Sequence, residues 1–331
     1  MFPNSVLFYV FLKSALTAIE PDDFSEKSVA SIHNTRSYRH LWRALQPHLT
    51  GLTHPPTLIV TYRQSNFTHS SSILRTISSP TVTMPPKTIL AFDLYGTLLS
   101  TDSIASTLAK ILSDEDTAQT VATHARRLQL EYSWRVNCMG LYKGFDELTR
   151  ASFRQAAREQ AGYKLTALDE ARLMQAYNGL DTFKDVDEAM KILHDAKQKG
   201  NNNVEAFIFS NGTPSMLSES LTTSPALSSA STVLPDTKLI SVEGAGCYKP
   251  DPRAYKHLVE VSGAAAAENV WLVSSNPFDA MGAVAAGLKS AWVDRDGQGW
   301  RDGLGAALEM RPTVTARGVD GAVRDIVAMS Q

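Results

Sequence analysis

Four groups of polar residues in this chain are of types that do chemistry, and three of them stand where an apolar run stops. Asp93 closes the run 88–92 (TILAF), Ser210 and Asn211 close 204–209 (VEAFIF), and Ser274, Ser275 and Asn276 close 270–273, with Asp279 three residues on. The fourth, Lys249, stands before Pro250 at the entry to a helical stretch. A carboxylate at a strand end is either a turn cap or a modest nucleophile suited to in-line attack on an activated sp³ carbon. A lysine within ~4–6 Å would favour its ionised form, although a lysine before proline is by itself usually a solvated loop residue. Ser210 and Asn211 read equally as caps of a helix beginning at 212–213 and as donors to an anion. Asp279 likewise reads as the cap of a helix opening at Ala280 or as a base.

The elements that must position these groups alternate. After the strand 88–92, residues 103–180 show helical periodicity without a strand signal, about four helices long. A helix follows Asp185 (VDEAMKILHDAKQKG), then the strand 204–209. The Ser/Thr-rich stretch 218–234 reads as a surface helix and loop. A short strand at 239–242, a helix at 250–262, the strand 270–273, a helix at 280–286, a strand at 290–293 and a strand–helix pair from Val314 complete the pattern. Strands alternating with helices predict an α/β fold, a doubly wound Rossmann-like parallel sheet, in which ligands bind at the carboxyl ends of the strands. The expected division is residues 1–84 as a largely disordered extension, 85–102 with 183–331 as the core, and 103–182 as an inserted helical cap subdomain.

The chain has 331 residues, 43% of them apolar, with a formal net charge of -2. That balance gives no support for nucleic-acid or membrane binding. No apolar run approaches the ~20 residues that span a bilayer. The seven-residue run 6–12 (VLFYVFL) lacks a preceding basic residue, and Glu20, Asp22, Asp23 and Glu26 spoil a mitochondrial presequence, so a cytoplasmic protein is expected, with an organelle address left open by the extension. A chain beginning at Met84 would keep every element just described. Cys138 and Cys247 form no metal cluster or disulfide framework and are expected as reduced, buried thiols.

Phe92-Asp93-Leu94-Tyr95-Gly96-Thr97-Leu98, Ser210-Asn211-Gly212, Tyr248-Lys249-Pro250-Asp251-Pro252, Ser274-Ser275-Asn276-Pro277-Phe278-Asp279 and the helical string Arg126 to Trp134 (RRLQLEYSW) occur in order. Together they resemble the haloacid dehalogenase-like hydrolase superfamily, and within it the L-2-haloacid dehalogenase (type II) branch, from about Pro86 to Val327. The resemblance implies an (S)-2-haloacid dehalogenase that hydrolyses small 2-haloacids to 2-hydroxyacids through a covalent aspartyl ester, without a metal or cofactor. Its partners would be the 2-haloacid and the halide; relatives of this branch are often homodimers. Asp93 would be the nucleophile, Lys249 its counter-ion, Arg126 (and not its neighbour Arg127) the halide-side cation, and Asp279 with Asn276 the pair that activates water. Thr97, Ser210, Asn211 and Ser274 would bind around substrate and nucleophile. Tyr95, Leu130, Phe145, Tyr255 and Phe278 would line the substrate pocket, although aromatics at helical spacing are more often ordinary core.

Tyr95 separates reaction classes. Phosphatases of this superfamily carry a second Asp two residues after the nucleophile, to protonate an alkoxide, and use Mg²⁺ against phosphate charge. Halide needs no proton, so a tyrosine there favours carbon–halogen chemistry. The alternatives are a metal-dependent phosphatase of this superfamily and a non-catalytic binding protein of the same fold; the second predicts a missing nucleophile or lysine, and both are present. Phe278, where the branch often has a larger aromatic, leaves substrate size open.

Overall fold

A computed structural model describes residues 87–330. The expectations for the extension 1–84, including its disorder, fall outside these residues. Six parallel strands form one sheet in the order β3-β2-β1-β4-β5-β6: β1 Thr88–Phe92, β2 Val204–Ser210, β3 Leu239–Ser241, β4 Val270–Ser274, β5 Lys289–Val293 and β6 Val314–Ala316. β1 and β4 are buried almost throughout, as their continuous apolar sequences require of strands covered on both faces. Because the chain winds outward from β1 through β2 and β3, then returns to β4 and winds the other way, the order reverses beside β1. The register pairs Phe92 with Ile208 on one side and Val273 on the other. The strand ends that carry Asp93, Ser210 and Ser274 therefore lie side by side at the switch point, where an open α/β sheet has its crevice.

Between β1 and the next core helix, a 3₁₀ turn (Thr101–Ile104) leads into α1 Ala105–Leu112, α2 Glu115–Cys138, α3 Phe145–Ala161 and α4 Ala167–Tyr177. α2 packs between α1 and α3 on a face of Ala118, Val121, Ala122, Ala125 and Leu128. The helical spacing makes this one stripe, and its alanines let the neighbouring helices approach closely. α4 starts at a capping box in which Thr166 and Asp169 each satisfy the other's backbone N–H. The two chains joining this segment to the sheet run together: Phe183 N donates to Leu98 O at 3.1 Å and Ser100 N to Asp181 O at 2.7 Å.

The remaining helices flank the sheet: α5 Val186–Gln198, α6 Pro214–Thr223, α7 Pro225–Ser229, α8 Pro252–Ser262, α9 Pro277–Ala285, α10 Gly303–Ala307 and α11 Val319–Met329. Three expectations change here. Residues 218–234 are not a surface helix and loop: α6 begins at Pro214 under a Thr213 cap, and Leu221, Leu227 and Leu234 are buried. The serines and threonines masked an apolar stripe that begins at Met216 and Leu217. Asp279 does not cap its helix: α9 opens three residues earlier than expected, at Pro277, with Asn276 at the cap position, and the Asp279 side chain turns inward. Of the two thiols, Cys247 is buried but Cys138, at the exposed end of α2, is not. No helix among the described residues is long and apolar enough to cross a membrane.

Candidate active site

Asp93 opens a loop of one turn. After β1 the chain bends so that Leu98 and Leu99 both donate their N–H to Leu94 O. Gly96 carries the turn at φ +86, a conformation an L side chain adopts only with strain. The turn directs the Tyr95 carbonyl toward the site, where it accepts from Asn276 Nδ2 (3.2 Å) and Arg126 Nη2 (3.1 Å). Arg126 thus reaches the nucleophile loop from α2, while its Nη1 donates to buried Gln129 (2.7 Å). Arg127, one residue on, is exposed.

The Asp93 carboxylate is held asymmetrically. Its Oδ2 accepts from Thr97 Oγ1 (2.8 Å), Asn276 Nδ2 (2.7 Å) and, more weakly, Ser274 Oγ (3.4 Å). Its Oδ1 accepts from Lys249 Nζ alone (3.0 Å). One oxygen is enclosed by neutral donors and the other faces a single cation with lone-pair capacity to spare.

Lys249 is 1% exposed and spends its three N–H bonds on Asp93 Oδ1, Asp279 Oδ2 (2.9 Å) and Phe209 O (2.8 Å). Burial opposes its charge, but Asp279 and Asp93 outweigh burial and hold its pKa above that of an ordinary lysine. Burial likewise pushes the Asp279 carboxyl up, to about 6, against the pull of Lys249 and with a push from Asp93. That range suits a base working near neutral pH.

Tyr255, expected in the substrate pocket, is instead fully buried behind Asp279 and donates its hydroxyl to Asp279 Oδ1 at 2.8 Å. Burial, and then the neighbouring Asp279, raise its pKa far enough to keep it a donor. Thr97, Ser210 and Ser274 are also fully buried. Thr97 and Ser274 act on Asp93; Ser210 Oγ accepts from Gly212 N at 3.1 Å. Asn211 accepts the Lys249 backbone N–H on Oδ1 (3.1 Å), and its Nδ2 has no partner among the described residues. Helix α6 is capped by Thr213 and not by either of them. Gly212 is required by close approach, since a Cβ there would lie 2.9 Å from the Tyr95 ring.

The apolar residues fall into two sets. Tyr95 and Phe145 are core, with ring centroids 6.0 Å apart, and Phe145 continues to Tyr248 at 5.7 Å. Leu130 and Phe278 are half-buried, and Phe278 meets the edge of Trp134 at 5.5 Å. The residues that sequence reading missed are the supports. Asn137, on α2, grips both the N–H (2.9 Å) and the carbonyl (2.7 Å) of Tyr248, beside Lys249. Gln129 joins Arg126 to Thr149 and Tyr177. Gln129 and Tyr248 lie within the recognised strings; Asn137 gave no signal.

The residues at the site do not fit a metal. Among the described residues no group of three or more His, Cys, Asp or Glu side chains is placed to hold one. An ammonium, that of Lys249, already bridges the two acids Asp93 and Asp279.

These strand-end residues sit on a sheet shared with known proteins. The model of the haloacid dehalogenase-like hydrolase family matches residues 87–287, and the chain belongs to that family. It is similar to the (S)-2-haloacid dehalogenase of Pseudomonas fluorescens, 30% identical over 226 residues, which are 68% of this chain and 90% of that one. It is also similar to the solved L-2-haloacid dehalogenase of Xanthobacter autotrophicus, at 27% identity and TM-score 0.61, covering 73% of this chain and 99% of that one. The same enzyme with chloropropionic acid covalently bound matches at 26% identity and TM-score 0.60, with 73% and 99% covered.

Proposed function

We propose that the chain is an (S)-2-haloacid dehalogenase that works through an ester on Asp93 and needs no metal. The observation that carries this reading is the asymmetric carboxylate. Asp93 Oδ1, oriented by Lys249, attacks C2 of the haloacid as the carbon–halogen bond breaks, and the halide leaves toward Arg126 and the Asn211 amide. The ester carbonyl oxygen is then Oδ2. Its three donors, Thr97, Asn276 and Ser274, become an oxyanion hole when water attacks Cγ. Asp279 takes the water proton, the Cγ–Oδ1 bond breaks as Lys249 gives a proton to the departing Oδ1 and regains one from Asp279, and an (R)-2-hydroxyacid departs with the oxygen that Asp93 supplied. The dehalogenase relatives, and the Xanthobacter enzyme carrying covalent chloropropionate, support this course.

Helices α1–α4 act as a cap in this reading, because Arg126 belongs to them and the site is complete only when they lie over Asp93. The half-buried Leu130 and Phe278, with Trp134 against the Phe278 ring, favour a short alkyl chain. Two free thiols and the absence of a membrane-crossing helix among the described residues are in keeping with a cytoplasmic setting. The test is chloride release from each enantiomer of 2-chloropropionate and from monochloroacetate, with and without EDTA. Turnover of the (S)-acid and of chloroacetate, unchanged by EDTA, is expected. Loss of activity in EDTA, or hydrolysis of an aryl phosphate in its place, overturns the reading.

A further inference from the structure

Arg295, in the loop after β5, is assigned no part in the reaction above, yet its guanidinium holds three segments of the site together. Nε and Nη2 make a two-point pair with the Asp185 carboxylate (3.1 and 3.0 Å), Nη2 also donates to Thr97 O (2.8 Å), and Nη1 donates to Ser275 Oγ (2.9 Å). The group lies flat on Phe183, 3.7 Å from the ring centroid. The arginine is 22% exposed and Asp185 18%, so this is not a solvated surface pair. Asp185 is itself fixed at the start of α11, whose Val319 N–H donates to it at 2.6 Å.

The two residues gripped on the sheet side are those that orient the nucleophile. Thr97 Oγ1 accepts from Ser275 N (2.9 Å), which leaves its proton directed at Asp93 Oδ2. Arg295 holds the same pair from the far side, through the Thr97 carbonyl and the Ser275 hydroxyl. Phe183 and Asp185 belong to the chain that returns from the helical segment, paired to Leu98 through Phe183 N.

We propose that Arg295, anchored by Asp185, is a positioning residue for the reaction at Asp93: it fixes the Thr97–Ser275 pair that supports Oδ2 and ties that pair to the root of the helical segment. A lysine does not replace it, because a point charge cannot form the two-point pair, the carbonyl contact and the stack together. The inference rests on the dehalogenase reading, and it locates the effect in the step where Oδ2 carries charge.

The experiment compares wild type, Arg295→Ala, Arg295→Lys and Thr97→Val, with and without Arg295→Ala, in halide release and in the fraction of enzyme held as ester at steady state. Misplacement of reacting groups by about an ångström costs roughly 100-fold, so Arg295→Ala should lower kcat about 10- to 100-fold. KM should stay within about threefold, ester should accumulate, and millimolar guanidinium should restore part of kcat. Arg295→Lys should show the same kinetic loss in a chain whose circular dichroism matches wild type, which covers the case in which the alanine variant fails to fold. In the Thr97→Val background the effect should shrink to below about threefold, as coupled sites require. A lysine variant with wild-type kcat, or an undiminished Arg295 effect without the Thr97 hydroxyl, overturns the proposal. A wild-type enzyme that releases no halide overturns the dehalogenase reading instead, and leaves the Arg295 proposal without its reaction.

Discussion

Replacing Lys249 by methionine tests the electrostatic design of the site most directly. Methionine has nearly the volume of the lysine stem but neither charge nor donors. Asp93 Oδ1 and Asp279 Oδ2 each lie within 3.0 Å of the lost nitrogen and would face one another unscreened. Two like charges ~6 Å apart at an effective dielectric of ~20 repel by about 3 kcal/mol, or about two pKa units. Asp279, which burial already holds at about 6 with the lysine beside it, should therefore keep its proton to higher pH still. Such a group contributes stability that is fully present below its unfolded pKa and is lost as pH rises through the folded one, here from about pH 4 to about pH 6 or above. Removing one member of a buried ion pair costs ~3–5 kcal/mol, which is the loss expected at pH 8. At pH 5 protonation relieves most of the repulsion. What remains is the stranded Phe209 carbonyl, ~1–3 kcal/mol. Urea unfolding of Lys249→Met and wild type at the two pH values measures this. A loss of equal size at pH 5 and pH 8 would refute the assignment of Lys249 as counter-ion to both acids. Halide release should be absent at either pH.

The remaining predictions concern the two half-reactions. With burial holding the Asp279 carboxyl at about 6, ester hydrolysis should fall about tenfold per pH unit below that value, because only the ionised form takes the water proton; ester formation should not follow the same curve. Asp279→Asn should release about one halide per enzyme and then stall as an ester visible by intact mass, a loss on the general-base scale of about 10²–10⁴; steady multiple turnover would remove Asp279 from that role. In a single turnover in ¹⁸O-water the first hydroxyacid should be unlabelled and Asp93 should carry the label, with Asp93→Asn folded but inactive; label in the first product would mean direct attack by water.

The sheet was legible because each of its strands interrupts a helical pattern with an apolar run, and because the polar residues after three of them have no packing reason to recur at strand ends. Asp93, Asn211 and Asn276, with Asp279 just beyond, could be nominated on that ground; Lys249 came from its own family string, and the family strings singled out Arg126 from Arg127. What the order of residues does not carry is direction. Thr97 and Ser274, expected around substrate and nucleophile, both turn to Asp93, whereas Tyr255, expected to line the substrate pocket, is buried and meets Asp279 from behind. Arg295 gave no signal at all. Its partners Asp185, Thr97 and Ser275 are separated from it by 110, 198 and 20 residues, so in the sequence it is one more loop arginine.

Long-range supports of this kind explain how a soft element can hold a strict geometry. Helix α2 touches the core loops at two places eleven residues apart, about 16 Å along a helix. Arg126 lies on the carbonyl that follows the nucleophile, and Asn137 lies on the peptide that precedes Lys249. The loop after β1 and the lysine loop after β3 share no backbone hydrogen bond among the described residues, yet both are referenced to one rigid rod. A rotation of α2 that kept Arg126 in place would pull Tyr248, and with it Lys249, away from Asp93. The charge balance of the buried trio and the position of Arg126 are therefore not independent variables: moving the helix changes both together. The site needs the whole of α2 seated, and a partial approach by its Arg126 end would leave the carboxylate without its counter-ion.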